Sequence, residues 1–256
     1  MASVDFLLQL VSDLLSQGKT LGLGDVRVFG GLGVRSHCPL TRECFPSRRN
    51  LDIDLIAPTT FDVLQFQALA TRRFGFVRRK YSAYEGGTVY EFETGGGNNG
   101  SSNLHLFVGN FVFSHFLSYK HRLLGDWPTL PLAELLLTKL QIHEAEEKDR
   151  EDILMLVAEH GFGESSIDQI DLRRVLATCC NDWGLWCNCV SNLDAVTVML
   201  KDASYLPERD RQIAESRLVD LKKNLKESPK SVRWRTRAAL ACLGWKKCWN
   251  DVEDWR

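Results

Sequence analysis

Two aspartates, Asp52 and Asp54, stand in the apolar segment LDIDLIAP at residues 51–58. Because alternate residues of a β-strand project from the same face, this spacing predicts two carboxylates side by side on one face of a strand. Adjacent carboxylates repel each other, and a shared divalent cation offsets that repulsion. Mg²⁺ takes oxygen ligands and commonly binds one or two carboxylates together with substrate phosphates. The pair therefore predicts a site for Mg²⁺ or Mn²⁺.

A Gly-Gly turn, Gly30-Gly31, precedes the two aspartates in the sequence. The segment DVRVF leads into it as a short predicted strand, and LGVRSH is expected to begin a helix whose N-terminus faces the turn. Glycine lets the backbone approach a phosphate closely, and the free N–H groups of a helix N-terminus bind anions. A phosphate-binding turn beside metal-binding carboxylates is the machinery for attack on a nucleotide phosphate.

The ordered combination VFGGLGVRSH followed by RNLDIDLI resembles the core motif of the DNA polymerase β-type nucleotidyltransferase superfamily. It is most similar to the bacterial minimal nucleotidyltransferases and the AbiEii-like toxin branch, where G-G-x-A-x-R precedes a T-D-I-D strand. Gly33 stands at the small residue of that motif, and Arg35 matches its arginine. The resemblance implies an α/β (α+β) nucleotidyltransferase fold with a mixed sheet, and transfer of a nucleoside monophosphate from an NTP to an acceptor hydroxyl.

The resemblance also assigns roles to residues of this motif. Asp52 and Asp54 would be catalytic as the metal ligands. The nucleotide-binding residues would be Gly30, Gly31 and Arg35.

A second block, LPLAELLLTKLQIHEAEEKDREDILML at residues 130–156, resembles the same branch's helix L-x-x-E-x-L-L-A-x-K followed by R-D-x-x-D-L. On this resemblance Lys139 corresponds to a lysine that contacts the nucleotide phosphates, so it would be both catalytic and nucleotide-binding. Asp149 would be catalytic, and Asp152 is a further candidate. The residues alone leave two alternatives, since a lone lysine in an apolar helix either extends to solvent or reaches a phosphate.

One position departs from the family pattern. Many nucleotidyltransferases carry a third carboxylate on a later strand, and His105 of NLHLFVG stands at that place. Histidine is a poor ligand for Mg²⁺. Three alternatives follow: a site with two carboxylates assisted by Asp149 or Glu93, His105 as general base on the acceptor hydroxyl, or a catalytically silent nucleotide- or RNA-binding module.

The elements that must position these residues change in character along the chain. Helical periodicity predicts helices over residues 4–17 and 61–75, FVRRKYSAY and TVYEFET predict a hairpin, and GGGNNGSSN predicts a turn. From Pro131 onward nearly every segment has a helical pattern. We therefore expect a nucleotidyltransferase α/β domain at 1–125 and an all-helical C-terminal domain at 126–256 that completes the cleft.

The charge distribution suggests where an acceptor would bind. The formal net charge is −1, so no overall field draws the molecule to nucleic acid. From Lys222 to Lys247, however, the sequence contains nine basic residues and one acidic residue, Glu227. Arginine binds phosphate and aromatic rings stack on bases, so the stretch around Trp234 predicts acceptor contacts or a solvated helix face. The predicted acceptor-binding residues are Arg233, Arg235 and Arg237.

Partners and location follow from the same arguments. Besides the NTP, the resemblance implies an RNA acceptor such as a tRNA end, and a toxin–antitoxin or defence context with an antitoxin partner. A protein hydroxyl or a small molecule stays an alternative acceptor. We expect a cytoplasmic protein without membrane contact, because no signal-peptide pattern and no membrane-length apolar run is present.

Overall fold

The computed structural model describes residues 3–45, 51–84, 87–94, 102–119, 121–123, 128–164 and 168–244. The glycine-rich stretch 95–101 of the predicted turn, and Lys246 and Lys247, lie outside these ranges. The chain forms two compact units. The first comprises Met1–His37, Pro46–Val112 and Phe116–Pro131, and the second Cys38–Phe45, Phe113–His115 and Leu132–Arg256.

A five-stranded mixed sheet forms the centre of the first unit, which confirms the predicted mixed sheet. Its strands in chain order are β1 (Arg27–Phe29), β2 (Ile53–Ala57), β3 (Phe76–Tyr84), β4 (Gly87–Thr94) and β5 (Asn103–Gly109). Their order in the sheet is β1-β2-β5-β4-β3. Strands β2 and β5 are parallel neighbours, and the other pairs are antiparallel. The strand that carries Asp54 therefore lies between β1 and β5.

Three helices accompany this sheet: α1 (Val4–Thr20), α2 (Gly30–His37) and α3 (Val63–Phe74). Helix α1 begins at the N-cap Ser3, whose side chain accepts the N–H of Phe6, a contact that satisfies one unpaired donor of the first turn. Its apolar stripe joins a core that includes Ile53 and Leu55 of β2. Two short strands, β6 (Phe111–Val112) and β7 (Phe116–Leu117), form an antiparallel pair in the same unit.

The second unit is mainly helical, as predicted for the C-terminal part. Its helices are α4 (Leu132–Leu140), α5 (Glu147–Glu159), α6 (Leu172–Cys179), α7 (Trp183–Asp202), α8 (Glu208–Glu227) and α9 (Val232–Cys242). All residues of α4 are buried, which is typical of a helix at the centre of a core. The unit also contains a 3₁₀ turn (Arg42–Cys44) and a parallel pair, β8 (Gly161–Gly163) and β9 (Gln169–Asp171). These strands are too short to show an alternating pattern in the sequence.

No helix in the described ranges has both the length and the apolar character needed to cross a membrane.

A buried histidine gives the second unit a defined pH dependence. The side-chain amide of Asn188 lies 2.9 Å from Nε2 of His115, and only a neutral imidazole accepts a hydrogen bond from it. Burial lowers the pKa of His115 to about 4, although Asp182 opposes this shift. In the unfolded chain, the His115 side chain binds a proton near pH 6.5. The contribution of neutral His115 to the unfolding free energy is therefore complete above that pH and falls as the pH decreases toward 4.

We therefore expect the wild-type chain to lose about 2 kcal/mol more unfolding free energy than His115→Gln between pH 7 and pH 5. Urea unfolding at both pH values measures this difference. The matched control is His121→Gln, which makes the same exchange at an exposed position. An identical pH dependence of His115→Gln and the wild type would contradict the assignment of a neutral His115.

Candidate functional site

The two aspartates lie at the start of β2, beside the parallel strand β5. Asp52 directly precedes β2 and is exposed, whereas Asp54 is inside the strand and half-buried. Asp54 is the register partner of His105. The structure thus places the D-x-D segment on an accessible part of the first unit, as a ligand site requires.

Side chains of β5 hold one oxygen of each carboxylate. The amide of Asn103 donates to Asp52 Oδ1 at 3.1 Å, and His105 Nδ1 lies 3.0 Å from Asp54 Oδ1. Asn103 and His105 are two residues apart, as are the two aspartates, so both pairs follow the alternation of their strands. Asp54 and His105 are 25% and 28% exposed, which leaves both reachable from solvent. The two strands therefore fix the direction of both carboxylates.

Acidic residues continue across the same part of the sheet on β4. Glu91 is the register partner of His105, and Glu93 is the partner of Asn103. Glu91 forms an ion pair with Lys80 at 3.3 Å, and Glu93 forms one with Arg79. Glu93, the predicted assisting carboxylate, is thus already paired with a cation on β3.

The charges around His105 have a net effect on its protonation. Burial lowers the pKa of His105, but the hydrogen bond and charge of Asp54, with the charges of Asp52 and Glu91, outweigh burial and raise this pKa above its usual value. The raised pKa reflects stabilisation of the protonated imidazole by Asp54, whose Oδ1 lies 3.0 Å from Nδ1 of His105. The geometry therefore favours His105 as a partner that positions Asp54.

The Gly-Gly turn lies directly against Asp54. Gly30 has φ +64°, in the left-handed region, and a Cβ at this residue would overlap Oδ2 of Asp54. Helix α2 begins at Gly30 itself, so the expected helix start at residue 32 is wrong by two residues, because both glycines belong to the first turn. The close approach of the turn to the D-x-D strand brings together two motifs that are well separated in the sequence.

Arg35 occupies a different environment from the one its predicted role requires. It lies in the last turn of α2, and only 2% of its surface is exposed. A guanidinium this deeply buried is a part of the protein core rather than an open anion-binding group. Its predicted contact with nucleotide phosphates gains no support from this burial and stays a prediction.

Lys139 and the two acids of the second block form one buried cluster within the second unit. The Lys139 ammonium lies 2.8 Å from Asp149 Oδ1 and 2.9 Å from Asp152 Oδ2. The exposed fractions of these three side chains are 7%, 9% and 0%, respectively. The structure thus brings together the three residues that the second block predicted. In this conformation the ammonium is bound by protein carboxylates.

The predicted acceptor arginines separate into two groups on α9. Arg233 lies 3.2 Å from Asp182, and the guanidinium of Arg237 lies over the Trp183 ring, 5.9 Å from its centroid. Both arginines line a common cavity with Trp183, whereas Arg235 is exposed elsewhere on the helix.

The chemistry of the donor set suits a hard cation. In the described part of the chain, no group of three or more His, Cys, Asp or Glu side chains is arranged to hold a metal ion. Mg²⁺ does not require such an all-protein set, since one or two carboxylates and substrate phosphates suffice. Asp52 and Asp54 supply two such carboxylates, so these residues fit a Mg²⁺ or Mn²⁺ site completed by substrate.

A matched pair of glycine variants tests the contact between the turn and Asp54. Gly30→Ala and Gly75→Ala both place a side chain at positive φ, but a Cβ at Gly75 would meet nothing within 4 Å. We expect Gly75→Ala to lose about 1–2 kcal/mol of stability from backbone strain alone. Gly30→Ala should lose more, because Asp54 must move. It should also weaken by about tenfold, equivalent to 1.4 kcal/mol, the metal-dependent NTP binding that the resemblance implies.

Urea unfolding and NTP titration of both variants measure these effects. Equal stability losses and unchanged NTP binding in Gly30→Ala would show that the contact with Asp54 has no functional consequence.

Comparison with known proteins identifies no family. No protein-family model matches the sequence, and no curated protein matches it. Among solved structures, the chain is similar to the crystal structure of an antigenic nucleotidyltransferase-like protein from Paracoccidioides brasiliensis. The TM-score is 0.40 and the identity 15%, over 90% of this chain and 96% of that chain. Similarity at this level does not establish an activity. The class of fold, a mixed α/β sheet followed by a helical part, is shown by the structure itself.

Proposed function

We propose that this chain is a metal-dependent nucleotidyltransferase that moves a nucleoside monophosphate from an NTP to an acceptor hydroxyl. The observation that carries the proposal is the contact between Gly30 and Asp54. It joins a phosphate-binding type of turn to a carboxylate that suits a divalent cation, and it leaves no space for a side chain between them. The arrangement combines in one place the two functions that nucleotide activation needs.

The site residues of the first unit have three separate roles in this proposal. Asp52 and Asp54 would hold Mg²⁺, which when bound neutralises phosphate charge and makes the acceptor hydroxyl more acidic. Gly30 and Gly31, at the first turn of α2, place backbone N–H groups where an anion can bind. Asn103 and His105 keep the carboxylates in position through their contacts with the Oδ1 atoms.

Lys139 and Asp149 enter the proposal through the sequence resemblance. Their buried ion pair supports two roles, either a lysine held ready for nucleotide phosphates or a structural contact of the helical unit. Asp152 shares the same lysine, so any movement of Lys139 toward a ligand would leave two buried carboxylates to be compensated. The catalytic role of the cluster is therefore the more demanding part of the proposal.

The finer assignments also rest on the resemblance. We propose that the chain belongs to the AbiEii-like toxin branch, that its acceptor is RNA such as a tRNA end, and that it acts in the cytoplasm with an antitoxin partner. These assignments are by analogy with the family, because a fold does not determine its substrate.

A second candidate function is favoured by one specific observation. His105, opposite Asp54 on β5, takes the place where a third carboxylate is expected, and it is bonded to Asp54. This arrangement is compatible with a catalytically silent module of the same fold that binds nucleotide or RNA without transferring anything.

A transfer assay distinguishes the two functions. The full chain is incubated with each α-³²P-labelled NTP, Mg²⁺ or Mn²⁺, and total tRNA, and the label on RNA is measured. Label transfer that requires the metal supports the enzyme. Binding of NTP or RNA without transfer of label under either metal supports the silent module, and the absence of both NTP binding and RNA binding contradicts both functions.

A further inference from the structure

A cavity of about 480 Å³ opens between the N-terminus of α7 and one face of α9, within the second unit. It is lined by Asp182, Trp183, Arg233, Thr236, Arg237 and Leu240. Its volume falls in the range of sites that bind small molecules or single residues of a larger ligand. The four lining residues of α9 recur at the spacing of one helix face, so this face forms one wall of the cavity.

The lining combines a flat aromatic surface with cations. Trp183 and Leu240 are half-buried and supply apolar surface, and the Arg237 guanidinium lies over the Trp183 ring. The single carboxylate, Asp182, is already used twice. Its Oδ1 accepts the N–H of Leu185 at the start of α7, and its Oδ2 pairs with Arg233. The cavity therefore contains two guanidinium groups beside an aromatic ring, and one of these groups, that of Arg233, shares its charge with Asp182.

The surroundings of the cavity are also basic and rigid. Helix α9 has the sequence VRWRTRAALAC, with three arginines and no acid. Its start is anchored by Trp234, which packs edge-on against Trp186 at 5.5 Å, and Lys230 lies 5.9 Å from both rings. Lys230 also donates to the carbonyl of Leu225 at 2.7 Å. These contacts hold the arginine-bearing face of α9 in a fixed position beside Trp183.

We propose that this cavity binds one unpaired nucleotide of a single-stranded nucleic acid. The base stacks on Trp183 in place of the Arg237 guanidinium, and the flanking phosphates contact Arg233 and the displaced Arg237. Single strands provide exposed π-faces and a regular row of negative charges, which are the two features this lining recognises. A duplex hides its base faces, and an acidic peptide makes no use of the indole surface. That this strand is the acceptor of the transferred nucleotide rests on the proposed function.

Oligonucleotide binding by the full chain tests this assignment without NTP or divalent metal. The probes are fluorescent 12-nucleotide RNA and DNA single strands of one unstructured sequence, and the corresponding duplex. Trp183→Ala should bind either single strand on the order of tenfold more weakly, whereas Trp183→Phe should remain near the wild type because it retains a stacking ring. The ratio of RNA to DNA affinity shows whether a 2′-hydroxyl is also read.

The arginines are tested by salt dependence. Arg233→Ala and Arg237→Ala should each make the slope of log affinity against log salt shallower by about 0.7, as expected when one phosphate contact to a single strand is lost. The matched control is Arg209→Ala, since Arg209 is an exposed arginine of α8 that does not line the cavity. This variant should bind like the wild type.

Three results would overturn the proposal. Unchanged single-strand binding by Trp183→Ala would rule out base stacking on Trp183. Equal losses of affinity in Arg209→Ala and Arg237→Ala would indicate diffuse charge attraction. Equal or tighter binding of a 12-residue polyglutamate would indicate a protein ligand. Failure of the transfer assay with intact Trp183-dependent binding contradicts only the proposed enzyme, whereas active transfer with Trp183-independent binding contradicts only this assignment.

Discussion

Asp54→Asn is expected to reduce metal-dependent nucleotidyl transfer by about 10³-fold. The exchange keeps the shape of the side chain and an oxygen that can accept from His105. It removes the negative charge that would hold a divalent cation beside Gly30. Loss of a metal ligand costs several kcal/mol of transition-state stabilisation, and each 1.36 kcal/mol corresponds to a tenfold change in rate. Single-turnover transfer of a labelled NTP to the acceptor, at saturating metal, measures the effect.

The control for Asp54→Asn is Asp202→Asn. Asp202 is an exposed acid at the end of α7, so this variant makes the same charge change outside the D-x-D segment. Both variants should unfold within about 1 kcal/mol of the wild type in urea, as expected for accessible positions. Transfer by folded Asp54→Asn at the wild-type rate would refute a metal-ligand role for Asp54.

His105→Asp separates the active and silent forms of the proposal. This variant places a third carboxylate on β5, directly opposite Asp54. If the chain is silent because that acid is missing, His105→Asp should acquire metal-dependent transfer that the wild type lacks. If the wild type is active with two carboxylates, transfer by the variant should still require metal. The metal concentration that gives half-maximal transfer should change.

Lys139→Met is expected to cost about 3–5 kcal/mol of unfolding free energy. The substitution removes the cation that lies between Asp149 and Asp152 and leaves two carboxylates in a buried site. Removing one partner of a buried ion pair is expensive, because the remaining charge has neither water nor a counter-charge. Urea unfolding measures the loss.

Lys148→Met is the matched control for this prediction. Lys148 is 53% exposed and pairs with Glu146 at 2.9 Å, so its loss should cost less than about 1 kcal/mol. The combination Lys139→Met, Asp149→Asn and Asp152→Asn removes all three charges and should recover most of the stability. Equal losses in the two single lysine variants would show that the buried cluster contributes little.

The triple variant also tests the role that the resemblance gives to Lys139. Because it is expected to fold, its NTP affinity can be compared directly with that of the wild type. A loss of about tenfold or more would indicate a phosphate contact, equivalent to 1.4 kcal/mol. Unchanged NTP binding would assign Lys139 to the stability of the helical unit alone.

Much of the candidate site could be predicted because it depends on local rules. Strand alternation predicted that Asp52 and Asp54 share a face. The ordered family motif predicts that the Gly-Gly turn and the D-x-D strand share one site, but neither the motif nor the spacing predicts that Gly30 lies directly against Asp54. The resemblance likewise groups Lys139 with Asp149 and Asp152, which lie 10 and 13 positions further along the chain on another helix.

Other contacts depend on register and packing that the sequence does not display. The partners of the two carboxylates, Asn103 and His105, follow from the parallel pairing of β2 and β5. The sequence carries a signal for these partners, the second polar i, i+2 pattern of Asn103 and His105 in NLHLFVG. The sequence does not distinguish a buried Arg35 from an exposed one, and it does not show that Arg237 meets Trp183 from another helix.

The pairing of β2 with β5 also has a consequence for how the chain folds. Asp54 and His105 are 51 positions apart, and the β3–β4 hairpin is formed entirely from residues between them. Closing so long a loop costs entropy that only later contacts return. We expect the local hairpin to form early and β5 to join β2 late, so that substitutions at this junction mainly alter the unfolding rate, whereas hairpin substitutions alter the refolding rate. Asn103 and His105 would then form their hydrogen bonds with the carboxylates of Asp52 and Asp54 only in the last stage of folding.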